Sequence, residues 1–326
     1  MKIVVTGGAG FIGTNLIKFL LEKKYKILNF DALKYSSNIK SLKIEECNKN
    51  YQFVKGDISD QKKFLKVLKK FKPDGIINLA AESHVDNSIE DPFIFAKTNI
   101  IGTLSLLQAS KNYWNNDFKN KLFYHISTDE VYGSLGPKGL FNENSPYDPH
   151  SPYSASKASS DHFVKSFYDT YNFPIIISNC SNNYGPKQYP EKLIPLFIKN
   201  IVNNDPITIY GDGTNIRDWL YVEDHISAID LIFHKSKIGE TYNIGGNNEM
   251  TNNEITEILI SRIDKKLKRP KGASKKLIKY VKDRLGHDKR YAIDCSKLKK
   301  DLGWVPKYSF NSGIDKTIDW YLNYLD

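Results

Sequence analysis

Residues 1–31 read MKIVVTGGAGFIGTNLIKFLLEKKYKILNFD and join a short apolar run, a glycine-rich turn and a longer mixed run. The apolar run Ile3–Thr6 has the length of a buried strand, and the apolar spacing of Phe11–Lys23 predicts an amphipathic helix. Tyr25–Phe30 predicts the next strand. A strand, a tight turn, a helix and a second strand are the first unit of a parallel sheet that carries helices on its faces.

The same alternation continues to about residue 180. Further strands are predicted at Gln52–Val54, Gly75–Leu79, Leu122–Ser127 and Ile175–Asn179, and helices at Gln61–Phe71, Asn99–Tyr113 and Ser154–Tyr171. We therefore expect an α/β fold with a Rossmann-type, doubly wound parallel sheet over residues 1–180. The pattern then weakens, which predicts a smaller C-terminal substrate-binding lobe over 181–326. Segments near 215–248 are expected to return to the first domain, as a helix at Asp218–Phe233 and a strand at Thr241–Gly245.

The glycine-rich turn can be read as Gly8-x-Gly10-x-x-Gly13 or as Gly7-x-x-Gly10-x-x-Gly13. Glycine permits the tight turn and lets backbone N–H groups approach a pyrophosphate at the positive end of a helix dipole. Asp31 ends the second strand about 20 residues on, where an acid accepts both ribose hydroxyls and repels a 2′-phosphate. These features predict a site for NAD rather than NADP, with contacts from Gly7, Gly10, Phe11, Ile12, Gly13 and Asp31.

Two further strand ends carry residues suited to the same cofactor. Asp57–Ile58 follows the third strand, and Leu79–Ala80–Ala81 follows the fourth. Ordinary loop chemistry would explain either segment alone. Because the chain also carries the glycine-rich turn, both segments are expected to contact adenine and ribose.

A candidate reactive pair lies in Tyr153-Ser-Ala-Ser-Lys157, where a phenol and an ammonium are one helical turn apart. A tyrosine and a lysine at this spacing usually lie on a protein surface by chance. Here, however, Ser127–Thr128 ends a strand in a chain that is expected to bind NAD, which favours a reactive pair. A nearby ammonium and a positive nicotinamide are expected to lower the phenol pKa. The phenolate could then take a hydroxyl proton as hydride leaves the carbon.

These features together resemble the extended short-chain dehydrogenases/reductases that act on sugar nucleotides. Within that group, Ser127–Gly133, with its adjacent acids Asp129 and Glu130, is similar to the nucleoside-diphosphate-glucose 4,6-dehydratases. Epimerases of the group generally carry small, non-acidic residues there. The resemblance extends over most of the chain, through Ala81–Asp86, Asn179–Pro186, Glu191–Pro195, Arg217–His225 and Tyr242–Gly246.

The resemblance implies a reaction without net redox change. Oxidation at C4 of the sugar acidifies the C5 hydrogen; Glu130 would take that proton, and Asp129 would protonate the departing C6 hydroxyl. Hydride then returns to C6, which gives a 4-keto-6-deoxy sugar. Two adjacent carboxyls whose pKa values are pushed apart suit these two roles. Thr128 would orient the C4 hydroxyl, and the catalytic set would be Thr128, Asp129, Glu130, Tyr153 and Lys157.

The substrate diphosphate requires cations, and the planar fork of arginine suits it. The resemblance implies substrate contacts from Ser83, Thr128, Asn182, Lys192, Leu193, Tyr210, Arg217, Asn252, Arg284 and His287. It adds cofactor contacts from Leu33, Ser83, Thr98, Tyr153, Lys157 and Asn183. Leu285 stands where the family usually has proline, and Lys289 where arginine is common, so these departures bear on substrate affinity.

The amino-acid composition limits the class of protein but does not indicate one function. The 326 residues carry a formal net charge of +10, which suits an acidic small substrate but also nucleic acid or an anionic membrane. No aromatic-interleaved basic module, no metal-ligand spacing and no apolar run of membrane length is found. We expect no nucleic acid, membrane or metal partner. Three widely separated cysteines, Cys47, Cys180 and Cys295, indicate a reduced, cytoplasmic protein.

Several alternatives stay open at this point. An epimerase or a decarboxylase of the same group is the nearest rival, and a non-catalytic NAD-binding or RNA-binding relative is the rival from another class. The resemblance implies a homodimer through the helices at Asn99–Tyr113 and Ser154–Tyr171. The residues do not distinguish dTDP-glucose from UDP-glucose, nor rhamnose from another 6-deoxyhexose as the final sugar.

Overall fold

The structure is a computed structural model that describes residues 1–43 and 45–325. Its strands are β1 (Lys2–Thr6), β2 (Lys26–Asp31), β3 (Tyr51–Lys55), β4 (Gly75–Asn78), β5 (Leu122–Thr128), β6 (Ile175–Cys180), β7 (Asn182–Tyr184), β8 (Ile207–Tyr210), β9 (Ile216–Tyr221), β10 (Thr241–Ile244), β11 (Glu249–Thr251) and β12 (Ile278–Val281). Its α-helices are α1 (Phe11–Glu22), α2 (Gln61–Phe71), α3 (Val85–Glu90), α4 (Pro92–Phe95), α5 (Thr103–Trp114), α6 (Pro152–Tyr171), α7 (Leu193–Asn203), α8 (Val222–Lys235), α9 (Asn252–Lys266), α10 (Ser296–Leu302) and α11 (Phe310–Leu325).

The central sheet confirms the predicted doubly wound α/β fold. Its seven strands are all parallel and lie in the order β10-β6-β5-β4-β1-β2-β3. The strand order reverses between β1 and β4, and in such sheets ligands bind beyond the carboxyl ends of the strands at this reversal. The predicted return strand at Thr241–Gly245 is β10, which pairs with β6 at the sheet edge.

The helix predicted at Asp218–Phe233 is found, but its predicted first residue is wrong. Helix α8 begins at Val222, and the four residues before it belong to β9. Strand β9 pairs with β7 in parallel and with β11 in antiparallel orientation. Aromatic residues such as Trp219 and Tyr221 favour a strand when partners are present, but these partners are distant in the sequence. Local periodicity could not reveal the pairing.

Four apolar clusters are found among the described residues, and three of them are large. The central sheet buries one cluster under α1 and α8 and a second under α2, α5 and α6. A third cluster lies among α7, α9 and α11, around Ile198, Leu259 and Ile314. None of the described helices combines the length and apolarity required to cross a bilayer.

The helix predicted at Asn99–Tyr113 is longer and is interrupted. α4 runs through a π-helical segment, Ala96–Gly102, into α5. Such wide turns often mark functional sites. Here Asn99 accepts a hydrogen bond from the Glu82 amide at 2.9 Å and donates to Ser156 of α6 at 2.8 Å. The π segment therefore braces the loop that follows β4.

Candidate active site

The glycine-rich turn forms a cradle that side chains would fill. Gly7 has φ +67°, and a Cβ there would lie 2.7 Å from the backbone of Ala80. A Cβ on Gly13 would lie 2.4 Å from the Gly7 carbonyl oxygen. β1, β4 and the start of α1 therefore approach each other closely, as a dinucleotide pyrophosphate requires. The residues present fit NAD.

Asp31 ends β2 beside this turn, as predicted. Its carboxylate accepts hydrogen bonds from the amides of Ala9 at 2.9 Å and Leu33 at 2.7 Å. Leu33 has a left-handed φ of +55°, and it does not line the cavity, whereas Ala32 and Lys34 do. The backbone of Leu33 supports Asp31, and its contact with NAD stays a prediction.

The remaining predicted cofactor residues lie together around one cavity beyond the carboxyl ends of the strands. They come from the loops after β1, β3 and β4, from the start of α1, the end of β2, the π segment, α6 and β7. They are Gly7, Gly10, Phe11, Ile12, Gly13, Asp31, Asp57, Ile58, Leu79, Ala80, Ala81, Ser83, Thr98, Tyr153, Lys157 and Asn183.

A second cavity between the sheet and the C-terminal elements collects most of the predicted substrate residues. It is lined by Asn182, Lys192, Leu193, Tyr210, Arg217, Asn252, Arg284 and His287, whereas Ser83 and Thr128 line the first cavity. Glu130, Asn182, Glu191 and Lys192 line both. The two cavities therefore meet at one of the two adjacent acids.

The adjacent acids follow β5 in a 3₁₀ helix, Asp129–Tyr132, whose N-cap is Thr128. The Thr128 hydroxyl accepts from the Glu130 amide at 3.3 Å and donates to Asp129 Oδ1 at 3.4 Å. Asp129 is 1% exposed, and its Oδ2 has no hydrogen-bond partner among the described residues. A buried oxygen of this kind fits a protonated carboxyl that can donate to a ligand.

The environments of the two acids differ. Burial raises the pKa of Asp129 well above its usual range, and the charges of Glu130 and Asp218 act in the same direction. Burial also raises the pKa of Glu130, but the cations Arg217 and Lys192 oppose that shift. The pKa of Asp129 is therefore raised more strongly than that of Glu130, which favours a protonated Asp129 beside an ionised Glu130.

The expected lowering of the Tyr153 pKa is not found. Burial raises this pKa well above 10, the charge of Glu130 adds to the shift, and only a Thr128 hydrogen bond opposes it. The Lys157 ammonium donates instead to the Ile126 carbonyl oxygen of β5 at 2.9 Å. The spacing of Tyr153 and Lys157 predicted a shared helical face correctly, but it could not show where the ammonium points.

The two arginines that are predicted to contact the substrate, Arg217 and Arg284, differ in their partners. The Arg217 guanidinium donates to carbonyl oxygens, including those of Ile216 at 2.7 Å and Asp288 at 2.9 Å. No ion pair of Arg217 is found in the described part of the chain, so its charge is available to an anion. Arg284 is already held by Asp86, with Nε to Oδ1 at 2.6 Å and Nη2 to Oδ2 at 3.0 Å.

Sequence reasoning missed several residues at the cavities. Asp86, Tyr291 and Asp288 line the second cavity, and Glu82 and Glu191 line the first. All five fall inside Ala81–Asp86 or Glu191–Pro195, which carried the resemblance, or inside the basic loop 283–291 around Leu285 and Lys289, and this was the available signal. Within residues 1–43 and 45–325, no group of three or more His, Cys, Asp or Glu side chains could hold a metal ion.

The sheet order, the glycine cradle and the Tyr153/Lys157 pair define the class of extended short-chain dehydrogenases/reductases. A family model described as GDP-mannose 4,6 dehydratase matches residues 4–317. The dTDP-glucose 4,6-dehydratase of Xanthomonas campestris pv. campestris (strain B100) is 50% identical over 324 residues, 98% of this chain and 92% of the relative. The chain therefore belongs to the nucleotide-sugar 4,6-dehydratase family.

Two solved dTDP-glucose 4,6-dehydratases have the same fold over almost the whole chain. The Bacillus anthracis str. Ames enzyme, in complex with NAD, has a TM-score of 0.88 and 47% identity, covering 99% of this chain and 97% of that one. The Streptomyces venezuelae enzyme, with NAD and a second ligand bound, has a TM-score of 0.91 and 40% identity, with the same coverage.

Proposed function

We infer that this chain is an NAD-dependent hydro-lyase that converts dTDP-glucose to the 4-keto-6-deoxy sugar. The observation that carries this inference is the pair of adjacent carboxyls after β5. Asp129 is buried with an unpartnered oxygen, whereas Glu130 lies where the cofactor and substrate cavities meet. An epimerase does not require this acid–base pair, because it removes no water.

Bound NAD would supply the hydride acceptor for C4 of the sugar and the hydride donor for C6. The Thr128 hydroxyl orients the C4 hydroxyl, and the Tyr153 phenolate takes its proton. Since burial and Glu130 raise the pKa of Tyr153, this role requires positive charge close to the phenol. Lys157, one helical turn along α6, supplies it.

Glu130 and Asp129 divide the loss of water between them. The C4 ketone makes the C5 proton acidic, and Glu130, kept ionisable by Arg217 and Lys192, removes it. Asp129 has its pKa raised and therefore holds a proton, which it gives to the C6 hydroxyl as that group leaves as water. Glu130 gives its proton back to C5 when hydride is added at C6, so no net oxidation results.

The second cavity takes the nucleoside diphosphate. Arg217, which has no ion pair among the described residues, provides a cation, with Arg284 and Lys192 beside it. Asn182, Leu193, Tyr210, Asn252 and His287 surround the rest of the nucleotide. The proposal includes two domains: residues 1–180 with return segments near 215–248 hold NAD, and 181–326 mainly hold the sugar nucleotide.

A homodimer is also proposed, through the helices at Pro92–Trp114 and α6. These two segments pack side by side and leave apolar side chains in solvent: Phe93 is 84% exposed, Ile101 51% and Phe163 38%. Exposed apolar patches of this kind often mark protein interfaces. We further propose a cytoplasmic location, which the three free cysteines of the described chain favour.

The test is incubation of the purified protein with dTDP-glucose, and separately with UDP-glucose, followed by mass spectrometry. We expect the product to lose the mass of one water, faster from dTDP-glucose, and to do so without added reductant. Glu130→Gln should abolish the loss, whereas the matched control Glu257→Gln, on the exposed face of α9, should not. An unchanged mass with epimerised hexose would contradict the dehydratase assignment.

A further inference from the structure

The aromatic ring of Tyr291 lies in the wall of the second cavity but takes no part in the function proposed above. Its side chain is buried, and its ring faces the guanidinium group of Arg217, which is buried as well. The Arg217 Cζ lies 4.2 Å from the centre of the ring. The contact is therefore a cation–π pair inside the cavity that is proposed to hold the diphosphate.

Backbone hydrogen bonds between β9 and the basic loop 283–291 bring the two residues together. The Ile216 amide donates to the Lys289 carbonyl oxygen at 2.9 Å, and the Tyr291 amide donates to the Ile216 carbonyl oxygen at 3.1 Å. Ile216 and Arg290 form an isolated parallel bridge. Arg217 and Tyr291 each follow this bridge by one residue, so their side chains point to the same face.

The ring covers the face of the guanidinium group, and backbone carbonyl oxygens accept from its edge. Arg217 Nη1 donates to the Ile216 carbonyl oxygen at 2.7 Å, and Nη2 donates to the Asp288 carbonyl oxygen at 2.9 Å. Neither the carbonyl oxygens nor the ring carry a charge. They therefore hold the guanidinium group without neutralising it, whereas Asp86 holds Arg284 with a carboxylate.

The ring is fixed at its hydroxyl end by two further side chains. The Tyr291 hydroxyl donates to Asp288 Oδ2 at 2.5 Å, and Asp288 Oδ1 lies 2.6 Å from His150 Nδ1. The Asn215 side chain donates to the Asp288 carbonyl oxygen at 3.2 Å. Burial, followed by the charge of Glu130, raises the pKa of Tyr291 above its usual value of about 10, so the ring stays a neutral phenol. A neutral ring leaves the charge of the arginine intact.

We propose that Tyr291 is the positioning residue for Arg217: its ring holds the guanidinium group in the orientation that receives the diphosphate of the sugar nucleotide. A mobile arginine side chain loses rotamer freedom when it binds an anion, and a guanidinium group that is already held loses less. The stacked arginine therefore binds a diphosphate more tightly than a mobile one. This inference rests on the proposed function, since the diphosphate belongs to the proposed substrate.

A ring that only fills space in the core makes a different prediction. A smaller side chain would then lower the stability of the protein, and its effect on dTDP binding would be the same with or without Arg217. A ring that positions Arg217 affects dTDP binding only through that arginine. Combined substitutions of Tyr291 and Arg217 therefore distinguish the two roles.

The first experiment measures the Kd for dTDP by isothermal titration of the NAD-loaded enzyme. Tyr291→Leu should raise the Kd by about 5–30-fold, the contribution of a desolvated cation–π contact, whereas Tyr291→Phe, which keeps the ring, should stay within about threefold of wild type. In the Arg217→Gln background, Tyr291→Leu should change the Kd by less than about twofold. The matched control is Tyr242→Leu, which removes another buried ring, 4.8 Å from the Lys297 ammonium, and should leave the Kd unchanged.

Two results would overturn the positioning role. One is an equal rise of the Kd in Tyr291→Phe and Tyr291→Leu, and the other is a rise that persists in full without Arg217. A wild-type enzyme that binds no dTDP would overturn both this role and the proposed function. Binding of dTDP with the expected ranking, but no loss of water from dTDP-glucose, would refute the proposed function alone.

The second experiment does not depend on the folding of Tyr291→Leu. Proton–nitrogen correlation spectra of the arginine-labelled wild-type holoenzyme report the side-chain N–H resonance of Arg217, assigned by its disappearance in Arg217→Gln. The ring current of Tyr291 should move this resonance upfield of those of exposed arginines, and Tyr291→Phe should keep the shift. A resonance at the position of exposed arginines would overturn the stacked geometry.

Discussion

Asp129 and Glu130 are neighbours in the chain, yet their surroundings differ in a way that suits the opposite tasks proposed for them. Asp129 points into a buried site with a second acid beside it, so its protonated form is favoured. Glu130 is half-buried and faces Arg217 and Lys192, which favour its ionised form. The difference arises from what each side chain faces, because the residue types themselves have similar pKa values.

Asp129→Asn removes a proton donor while keeping the shape of the side chain. We expect kcat for dTDP-glucose to fall by about 10²–10⁴-fold, the usual contribution of a general acid, with KM little affected. An acid works only while protonated, so wild-type kcat should fall as the pH rises through the raised pKa of Asp129. Steady-state assays, with the exposed Asp117→Asn as control, measure both effects. A kcat within about twofold of wild type would exclude Asp129 as the acid.

The unequal partners of Arg217 and Arg284 lead to unequal predictions. Arg217→Gln should raise KM for dTDP-glucose and the Kd for dTDP more than Arg284→Gln, since Asp86 already neutralises Arg284. Arg217→Gln should also shift the acid limb of kcat to higher pH, because Arg217 favours the ionised form of Glu130. Isothermal titration with dTDP and a pH profile test these points; equal losses from both variants would contradict the ranking.

At the scale of the elements, the close packing at the junction of β1 and α1 requires a residue without a side chain, Gly13. A Cβ on Gly13 would meet the Gly7 carbonyl oxygen at 2.4 Å, and backbone cannot move as a flexible side chain can. Gly13→Ala should therefore displace the start of α1, destabilise the protein by about 1–3 kcal/mol and weaken NAD binding. Denaturant unfolding and fluorescence titration with NAD measure the two effects. Gly136→Ala, where a Cβ meets nothing within 4 Å, is the control.

A hydrogen bond between two titratable side chains joins the basic loop 283–291 to the segment before α6. His150 Nδ1 lies 2.6 Å from Asp288 Oδ1, and this hydrogen bond raises the His150 pKa, with Asp148 adding to the shift. A raised folded-state pKa contributes stability below the unfolded value of about 6.5, and that stability is lost as pH rises through the folded value.

Thermal unfolding across this range should therefore show Tm falling with rising pH by a small amount, since His150 is largely exposed. His150→Gln should flatten this part of the curve, and His234→Gln, on the surface of α8, serves as control. An identical slope in wild type and His150→Gln would show that the contact does not contribute.

For the whole molecule, the central question is how the apolar surface beside α6 is covered. Phe93→Asp places a charge at the most exposed of these side chains, so it should convert a dimer into a monomer. Light scattering coupled to size-exclusion chromatography measures the change, and Val305→Asp, at an exposed apolar position elsewhere, is the control. A wild-type monomer at assay concentration would refute the dimer.

Much of the fold could be predicted because its signals are local. Strand length, helical periodicity and glycine at the turn gave β1, α1 and β2 to within about two residues. The start of α8 was misplaced because β9 depends on pairing with β7 and β11. The π segment was missed since its distinguishing contact joins Asn99 to a loop and another helix.

The amino-acid order was sufficient for the class of sheet, the NAD turn, the Tyr153/Lys157 spacing and the two adjacent acids, because each depends on neighbours in the chain. The folded arrangement was needed for the direction of the Tyr153 pKa shift and for the Asp86–Arg284 pair. Those properties depend on burial and on partners as far as 198 residues apart. Electrostatics acts through space, so only the packed structure assigns each charge its environment.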